Sequence, residues 1–309
     1  MNKVVAVPFV LCAIIAPFVF SVGGGVRADT PDSVSSCSGG DAGVCKFPRP
    51  KISGEDVGDP FVDGGSNNGA CPNDMKLIEG DYCKNAEEIC LYCVDTDFNK
   101  IPCDKNYGQS DRCGEFKFPT RCLSDTKIHK RFCLDTFEIP NIGGERPFSW
   151  MSYTDVENFC KSKGKRIATS SEWELSCEGP TMKPYPYFGG YLRADRTVCN
   201  TDNIPNIDVF KATSHNTPTA KKLDDMLVPS GSRKDCVSDY GIMDQIGNTD
   251  EYVRNETGVG YISGLKGGHI WGVRARCRPM TTAHNGVATA GGGFSWYETN
   301  GRCAKDAAF

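Results

Sequence analysis

Apolar and polar positions divide this 309-residue chain into stretches of different character. Residues 4–22 are almost wholly apolar and follow Lys3, and Val-Arg-Ala at residues 26–28 comes next, which is typical of a cleaved signal peptide. Residues 29–69 are rich in Ser, Gly, Asp and Pro and have too few apolar side chains to offset the entropy lost on ordering. We therefore predict a signal peptide over residues 1–28 and a flexible linker over residues 29–69. A retained membrane anchor is the alternative for the apolar run, because roughly 19 residues is near the minimum that spans a bilayer.

From about residue 132 onward, apolar positions twice take a helical spacing. One helix is predicted to begin at Ser152 and end at Gly164, and a second begins with the capping box of Thr169 and Glu172 and ends at Gly179. The inward-facing residues of the two helices are Val156, Phe159, Cys160, Trp173 and Cys177. Beyond Gly179, short apolar pieces separated by Gly, Pro, Asn and Asp indicate strands and long loops, and helical runs of more than ten residues are absent. The pattern predicts an α+β, loop-rich domain.

The chain has 17 cysteines, and 16 remain once Cys12 of the signal peptide is removed. An even, dense set in an exported chain favours disulfides, and residues 71–133, which have few apolar side chains, are predicted to be held by crosslinks more than by a core. Cys37 and Cys45 could close a small loop in the linker. Zinc is the alternative for the Cys-Leu-Tyr-Cys run at residues 90–93, although a second pair of that spacing is missing.

The formal net charge of -4, without a basic stripe, gives no long-range attraction for nucleic acid or an anionic membrane. We therefore expect neither partner, and no membrane association once the signal peptide is cleaved. The chain is predicted to be secreted, periplasmic or extracellular.

Six sequence blocks, in order, carry a resemblance to a known family. The most specific is Gly-Lys-Arg-Ile-Ala-Thr at residues 164–169 with Glu-Trp-Glu at residues 172–174. The other blocks are residues 71–80, 133–141, 240–252, 265–278 and 301–303. On these residues the chain resembles the formylglycine-generating enzyme (sulfatase-modifying factor) family. It departs from the family pattern at Ile167 and Ala168, and it lacks the usual Phe between Gly301 and Arg302.

The resemblance implies a C-type-lectin-like variant fold with little regular secondary structure. We place this domain at residues 70–303, with a Cys-rich insertion at about residues 83–131 and a tail at residues 304–309. The fold that the resemblance implies agrees with the α+β expectation drawn from the apolar pattern alone.

The resemblance also implies a copper-dependent activity that this sequence does not support. Catalytic members bind Cu(I) through two cysteines shortly after the Gly-Gly of the late block, and the metal activates dioxygen to oxidise a sulfatase cysteine to formylglycine. Aligned without a gap, these positions fall on Gly272 and Cys277; aligned on the Arg-x-Arg-Cys pattern, the second position is deleted. A soft ion such as Cu(I) prefers a pair of thiolates, so copper is not expected here. The family serine beside the site falls on His269.

The resemblance further implies the disulfide pairing of the domain. By its pattern, Cys160 pairs with Cys303, and Cys177 pairs with Cys277. This leaves Cys199 and Cys236 as the third bridge, so Cys277 is expected to be a crosslink and not a metal ligand.

Other candidate site residues lie in the loops. Family members bind calcium structurally through oxygen ligands, and Asn200, Asn248 and Glu251 match such positions. Asp202 or Asp208 could contribute to a calcium site, and the alternative is that all these residues stabilise turns. Cys277, His269 and Trp271 are the weak catalytic candidates, and His284 could lie near the same cleft. With four histidines and no His-x-x-x-His pair, an iron site is not expected.

Two functions remain open on the sequence. The first is an exported member of the family without the oxidase site, which acts as a scaffold or binds a protein, peptide or glycan. The second is a formylglycine-generating oxidase that converts a sulfatase cysteine. Non-haem iron oxidation is a third and weaker hypothesis. The missing thiolate pair favours the first function, and the strength of the resemblance elsewhere favours the second.

Overall fold

The computed structural model describes residues 69–103, 112–194, 196–203, 206–257, 261–272, 274–281 and 294–308. The helices within these ranges are α1 (Tyr153–Ser162), α2 (Ser170–Glu178) and α3 (Pro218–Asp224), with a 3-10 helix at Val209–Lys211. The strands are β1 (Met75–Tyr82), β2 (Ala86–Glu87), β3 (Cys90–Val94), β4 (Lys100–Ile101), β5 (Cys113–Phe116), β6 (Arg121–Cys122), β7 (Ile128–Asp135), β8 (Arg166–Ile167), β9 (Asp250–Arg254), β10 (Ser263–Lys266), β11 (Thr299–Gly301) and β12 (Cys303–Asp306). This confirms the α+β, loop-rich prediction.

The main sheet has the strand order β1-β7-β12-β8, and all its pairs are antiparallel. Its longest ladder joins β1 to β7 over eight residue pairs, from Met75–Asp135 to Tyr82–Ile128. Inward-facing side chains of these strands pack against α2 in a cluster that includes Ile78, Phe132, Leu134, Leu175 and Ala304. The sheet therefore supports the helix on which the most specific sequence block lies.

Local capping explains where α1 and α2 begin. Ser152 accepts a hydrogen bond from the Asp155 amide, while the Asp155 carboxylate accepts one from the Ser152 amide. Thr169 and Glu172 form the same reciprocal arrangement at α2. Each capping box satisfies amide groups that the first turn of a helix leaves without partners. Both predicted helix starts are thus found in the structure.

A second sheet, of order β10-β9-β11, lies next to the main one. Strand β11 runs parallel to β9, and β12 of the main sheet begins after a single residue, Arg302. The Arg302 guanidinium is fully buried and donates to both carboxylate oxygens of Glu251 on β9, each at 2.7 Å. This paired charge fixes the two sheets at the point where the chain passes between them.

The Cys-rich insertion forms two small sheets, β2-β6 and β4-β3-β5. Three disulfides hold it: Cys83–Cys122, Cys90–Cys113 and Cys93–Cys103. The segment therefore has crosslinks where it lacks a large apolar core. Cys90 and Cys93, the cysteines considered for zinc, are each bonded to another cysteine, Cys113 and Cys103 respectively.

The structure differs from the sequence prediction in two elements. Helix α3, capped by Thr217 and opened by Pro218, was not predicted, because seven residues are too few to show a helical period. Strand β12 continues to Asp306 and pairs with β7 and β8, so the ordered domain ends later than the predicted boundary at residue 303.

The predicted signal peptide and linker, with Cys37 and Cys45, lie outside the described residues, except for Gly69. Among the helices that are described, none has the length and apolar character needed to cross a membrane.

Candidate functional site

The two positions that would hold copper offer no thiolate. Gly272 has a φ of +72°, and a Cβ placed there would collide with the carboxylate of Asp202, which is held by Arg193. Cys277 is fully buried and joined to Cys177 by a disulfide with a Cα–Cα distance of 5.5 Å. Neither residue, as it stands, can donate a sulfur ligand to a metal.

The remaining cysteines of the domain are also crosslinked. Cys160 is joined to Cys303 and Cys199 to Cys236, the pairs implied by the family resemblance and by elimination. A further bridge joins Cys71 to Cys133. All cysteines from residue 69 onward are described, and every one belongs to a disulfide. The donor set that Cu(I) requires is therefore missing from this part of the chain.

The most specific sequence block has a structural role. Lys165 donates to Asp135 at 2.6 Å, and Trp173 donates its indole N–H to Glu251 at 2.8 Å. Glu174 pairs with the fully buried Lys266 at 2.9 Å. The Lys266 ammonium also donates to three consecutive carbonyl groups, those of Cys277, Arg278 and Pro279. These contacts position the late block that contains Cys277 against α2.

His269 is the most unusual side chain near the former copper positions. It is 1% exposed, its φ is +46°, and neither ring nitrogen has a hydrogen-bond partner among the described residues. Its Nδ1 lies 3.9 Å from Glu298 Oε2, beyond hydrogen-bond distance. Burial, aided by the nearby Arg274 cation, lowers the pKa of His269 to about 3. The imidazole is therefore neutral at ordinary pH.

Glu298 complements this histidine. Burial, followed by repulsion from the carboxylate of Asp250, raises the pKa of Glu298 to about 8. Asp250 accepts a hydrogen bond from the Gly268 amide at 2.7 Å and pairs with the Arg274 guanidinium at 2.6 Å. The cation at this place is thus engaged by Asp250, and Glu298 and His269 face one another as two neutral polar groups.

Aromatic side chains surround this pair. The ring centroid of Tyr297 is 5.3 Å from that of His269, and the Tyr297 hydroxyl accepts from the Trp271 indole at 2.9 Å. Trp296 is half-buried and stacks on Phe294 with an interplanar angle of 11°. The structure thus brings the predicted residues His269 and Trp271 into one aromatic cluster, which we define as Trp150, His269, Trp271, Phe294, Trp296 and Tyr297.

Trp150 belongs to this cluster although the sequence did not indicate it. Its indole nitrogen is buried without a partner among the described residues, and its ring lies 4.7 Å from that of His215. Three polar atoms of the aromatic cluster, the Trp150 indole nitrogen and both His269 ring nitrogens, are therefore buried and unsatisfied by the described chain. Such atoms usually have a partner in the native molecule, such as water or a ligand. Trp150 and Glu298 left no signal in the sequence because their role depends on long-range packing.

The candidate calcium ligands are already used within the chain. The Asn200 amide donates to Asn248 at 2.9 Å, and the Asn248 side-chain oxygen also accepts from the Val228 amide. Both oxygens of Glu251 are held by Arg302. Calcium prefers carboxylate oxygens that are free to coordinate it, and Glu251 does not offer them in this arrangement. Calcium binding remains a prediction for which these residues are a poor fit as they stand.

The other candidate positions have separate environments. Asp202 is buried between Arg112 and Arg193, and Asp208 caps the 3-10 helix. His284 lies outside the described residues.

Comparison with known proteins gives one family. The model of the sulfatase-modifying factor enzyme 1-like domain matches residues 126–305. A search of curated protein sequences finds no match to this chain.

Solved structures with similar folds share little sequence with the chain. CarF is 11% identical with a TM-score of 0.45, and covers 75% of this chain and 98% of its own. PvdO from Pseudomonas aeruginosa is 14% identical with a TM-score of 0.41, and Treponema denticola variable protein 1 is 12% identical with a TM-score of 0.38. Each of these two covers 75% of this chain and 94% of its own. Because these scores are low, the assignment depends on the sequence match over residues 126–305, which is more than half of the chain. The chain belongs to the sulfatase-modifying factor enzyme 1-like domain family.

Proposed function

We propose that this chain is an exported, ligand-binding member of its family and has no copper-dependent oxidase activity. The observation that carries the proposal is the Cys177–Cys277 disulfide, which occupies the sulfur that the copper site would need. The close approach of Asp202 to Gly272 supports it, because a side chain at this position would have to displace the buried Asp202 carboxylate. The seven disulfides of the described residues support export, since such crosslinks persist in oxidising compartments.

The aromatic cluster is the recognition surface in this proposal. Trp271 and Trp296 are partly exposed, and their flat faces can pack against a protein, a peptide or the apolar face of a sugar. The neutral His269 ring lies beside Tyr297 of the same cluster and 3.9 Å from Glu298, and both side chains can supply hydrogen bonds to a ligand. A site of apolar walls with a few polar groups is typical of ligand binding.

The absence of copper chemistry is tested on the full chain purified without reductant. The protein is denatured, alkylated and mapped by peptide mass, and native protein is titrated with Cu(I) against a chromophoric chelator. We expect no alkylation from Cys71 to Cys303 and no Cu(I) retained. Cys177→Ser is the matched control, because it frees Cys277 as one thiol, which alone is a weak Cu(I) site. Alkylated Cys277 together with tightly held Cu(I) in the native chain would restore the oxidase hypothesis, which family membership supports.

Binding is tested with arrays of immobilised glycans and peptides. We expect the native chain to retain at least one class of these ligands and Trp296→Ala to lose it. Phe188→Ala is the control, because Phe188 is a fully exposed aromatic side chain outside the cluster. Equal binding by both variants would remove the aromatic cluster from the proposal.

A further inference from the structure

Two residues of the aromatic cluster combine unused polar atoms with an unusual backbone. The Trp150 indole nitrogen and both ring nitrogens of His269 are buried and have no hydrogen-bond partner among the described residues. Trp150 has a φ of +62° and His269 a φ of +46°, in the left-handed region that residues with large side chains rarely adopt. Backbone strain of this kind concentrates at binding and active sites. Strain and unused polar atoms thus coincide at the same two residues.

The cations of this region are already engaged by carboxylates. The Arg274 guanidinium pairs with Asp250 at 2.6 Å. Arg193 donates to the Gly272 carbonyl at 2.7 Å and pairs with Asp202 at 2.8 Å. The side chains of both aspartates are fully buried. An anionic ligand would have to compete with these carboxylates, and a cationic one would have to displace an arginine and leave a buried charge without its partner.

The other ionisable groups of the cluster are uncharged near neutral pH. Burial lowers the pKa of His269 to about 3 and raises that of Glu298 to about 8. Burial also lowers the pKa of His215, whose ring lies against Trp150. The Tyr297 hydroxyl hydrogen-bonds to the Glu298 carboxyl, and burial raises its own pKa. The cluster therefore presents polar groups that carry no net charge.

Two tryptophan rings supply flat apolar surface beside these groups. Trp271 and Trp296 are each partly exposed. Trp271 is fixed by its hydrogen bond to Tyr297, and Trp296 is fixed by stacking on Phe294. Rings that are already fixed lose little entropy on binding, and their faces can pack against the C–H groups of a sugar ring.

We infer that the aromatic cluster binds an uncharged sugar ring, with its C–H face on the tryptophan side chains and its hydroxyl groups bonded to His269 and Glu298. The inference rests on the proposed ligand-binding function and narrows it to one class of ligand. His269 Nδ1 and Glu298 Oε2 are 3.9 Å apart, a gap that one hydroxyl oxygen at about 2.8 Å from each atom would bridge. Glu298 is the more accessible of the two, with 15% of its side chain exposed against 1% for His269.

Hydroxyl groups match these two side chains chemically. A neutral imidazole has one donor and one acceptor, and a protonated carboxyl also donates and accepts. A sugar hydroxyl does both as well, and it brings no charge to a site where the cations are engaged. A charged peptide or an acidic glycan lacks this second property.

The specificity is tested with the native full chain on an array of neutral glycans, glycans with carboxylate or sulfate groups, and peptides. We expect neutral glycans to be retained at pH 7, and the other two classes to be retained at least tenfold more weakly. Preferential retention of peptides or acidic glycans would overturn the inference and leave the proposed ligand-binding function standing. Retention of none of the three classes would remove the proposed function as well.

The surroundings of Glu298 allow a second test, by pH. The ionisable side chains that interact with its carboxyl among the described residues are Asp250, Arg274, His269, Tyr252 and Tyr297. The first two are paired with each other. The other three are uncharged, because burial lowers the pKa of the imidazole and raises those of both phenols. The Glu298 carboxyl loses its proton around pH 8.

The pH test uses the neutral glycan that the array retains best. A sugar that covers Glu298 removes water from it, and an ionised carboxylate beside Asp250 would lose hydration that hydroxyl groups replace only in part. We therefore expect the protonated form to be the one that binds. The dissociation constant should then rise about tenfold from pH 7 to pH 9, in proportion to the loss of the protonated fraction.

Glu298→Gln isolates this contact, because an amide donates and accepts but does not titrate. We expect the ratio of its dissociation constants at pH 9 and pH 7 to be near one, whatever its affinity at pH 7. Glu79→Gln, at an exposed position of β1, is the control and should keep the native ratio. Glu178, whose pKa burial also raises to about 8, is present in all three proteins, so its effect cancels. Equal affinity of the native chain at both pH values, or a tenfold ratio in Glu298→Gln, would overturn the inference.

Discussion

At the scale of single residues, burial acts in opposite directions on the two polar groups of the aromatic cluster. It lowers the pKa of His269 to about 3 and raises that of Glu298 to about 8, because in each case the charged form loses its hydration. Both groups are therefore neutral between these values, which explains how two ionisable side chains lie 3.9 Å apart in the interior without forming an ion pair. A proton taken up or released there must change the stability of the fold.

The signs of the two contributions differ. The unfolded chain binds more protons than the folded one at His269 below pH 6.5, so that residue makes stability rise with pH up to about 6.5. At Glu298 the folded chain keeps a proton that the unfolded chain loses above about 4.5, so stability falls as pH rises toward 8. Between pH 6.5 and 8 the His269 contribution is nearly complete and the Glu298 contribution changes, as does that of Glu178, whose pKa burial also raises to about 8.

We therefore predict that Glu298→Gln reduces the pH dependence of stability in that window by the contribution of this one carboxyl group. A difference of one proton over 1.5 pH units corresponds to about 2 kcal/mol, so the native chain should lose about that much more unfolding free energy than the variant between pH 6.5 and 8. Urea unfolding followed by tryptophan fluorescence at both pH values measures it. Glu79→Gln, at an exposed position of β1, serves as the control and should keep the native slope. Parallel pH curves for the Glu298 variant and the native chain would contradict the prediction.

At the scale of elements, the sequence was informative wherever structure is set by neighbours in the chain. The two capping boxes predicted α1 and α2 because an N-cap and its partner are three residues apart. Helix α3 had a local signal, Thr217 followed by Pro218, but no helical period of apolar positions to support it. Short elements of this kind are predicted poorly because packing, and not local preference, stabilises them.

Strand pairing and the full candidate site could not be predicted in the same way. The sequence placed His269, Trp271, Trp296 and Tyr297 near one cleft, but it did not indicate Glu298, which lies beside His269 and comes from the chain just before β11. That segment reaches the site only because β11 pairs in parallel with β9. The disulfide pairs of the domain were implied by the family resemblance, since cysteine spacing alone leaves many connectivities open.

The capping box of α1 supports a prediction at this scale. Ser152→Ala removes the hydroxyl that accepts from the Asp155 amide, and we expect a loss of about 1 kcal/mol of unfolding free energy. Ser232→Ala, at an exposed turn position, is the control and should change stability by less than about 0.5 kcal/mol. Urea midpoints of the two variants provide the comparison. An equal effect at both positions would mean that the cap contributes little to α1.

At the scale of the whole molecule, disulfides connect parts of the chain that are otherwise joined by little regular secondary structure. Cys160–Cys303 links α1 to β12 across 143 residues, and Cys177–Cys277 links α2 to the late block across 100 residues. Cys71–Cys133 fastens the start of the described chain to β7. The Cys-rich insertion has its own short bridges, such as Cys93–Cys103 across 10 residues. The long bridges restrict the unfolded chain of the domain as a whole, whereas the short ones restrict the insertion.

This difference predicts a ranking of the bridges by their effect on stability. In the chain-entropy account, closing the longer loop of Cys160–Cys303 is worth about 5 kcal/mol and closing that of Cys93–Cys103 about 3 kcal/mol, before other bridges shorten the effective loops. Cys160 and Cys303 are also fully buried, so their replacement by Ala removes packed sulfur from the core, whereas Cys103 is exposed. We expect the Cys160→Ala/Cys303→Ala chain to unfold at a lower urea concentration than the Cys93→Ala/Cys103→Ala chain, both measured without reductant. A greater loss in the Cys93/Cys103 variant would show that the insertion, and not the bridge between α1 and β12, governs the stability of the domain.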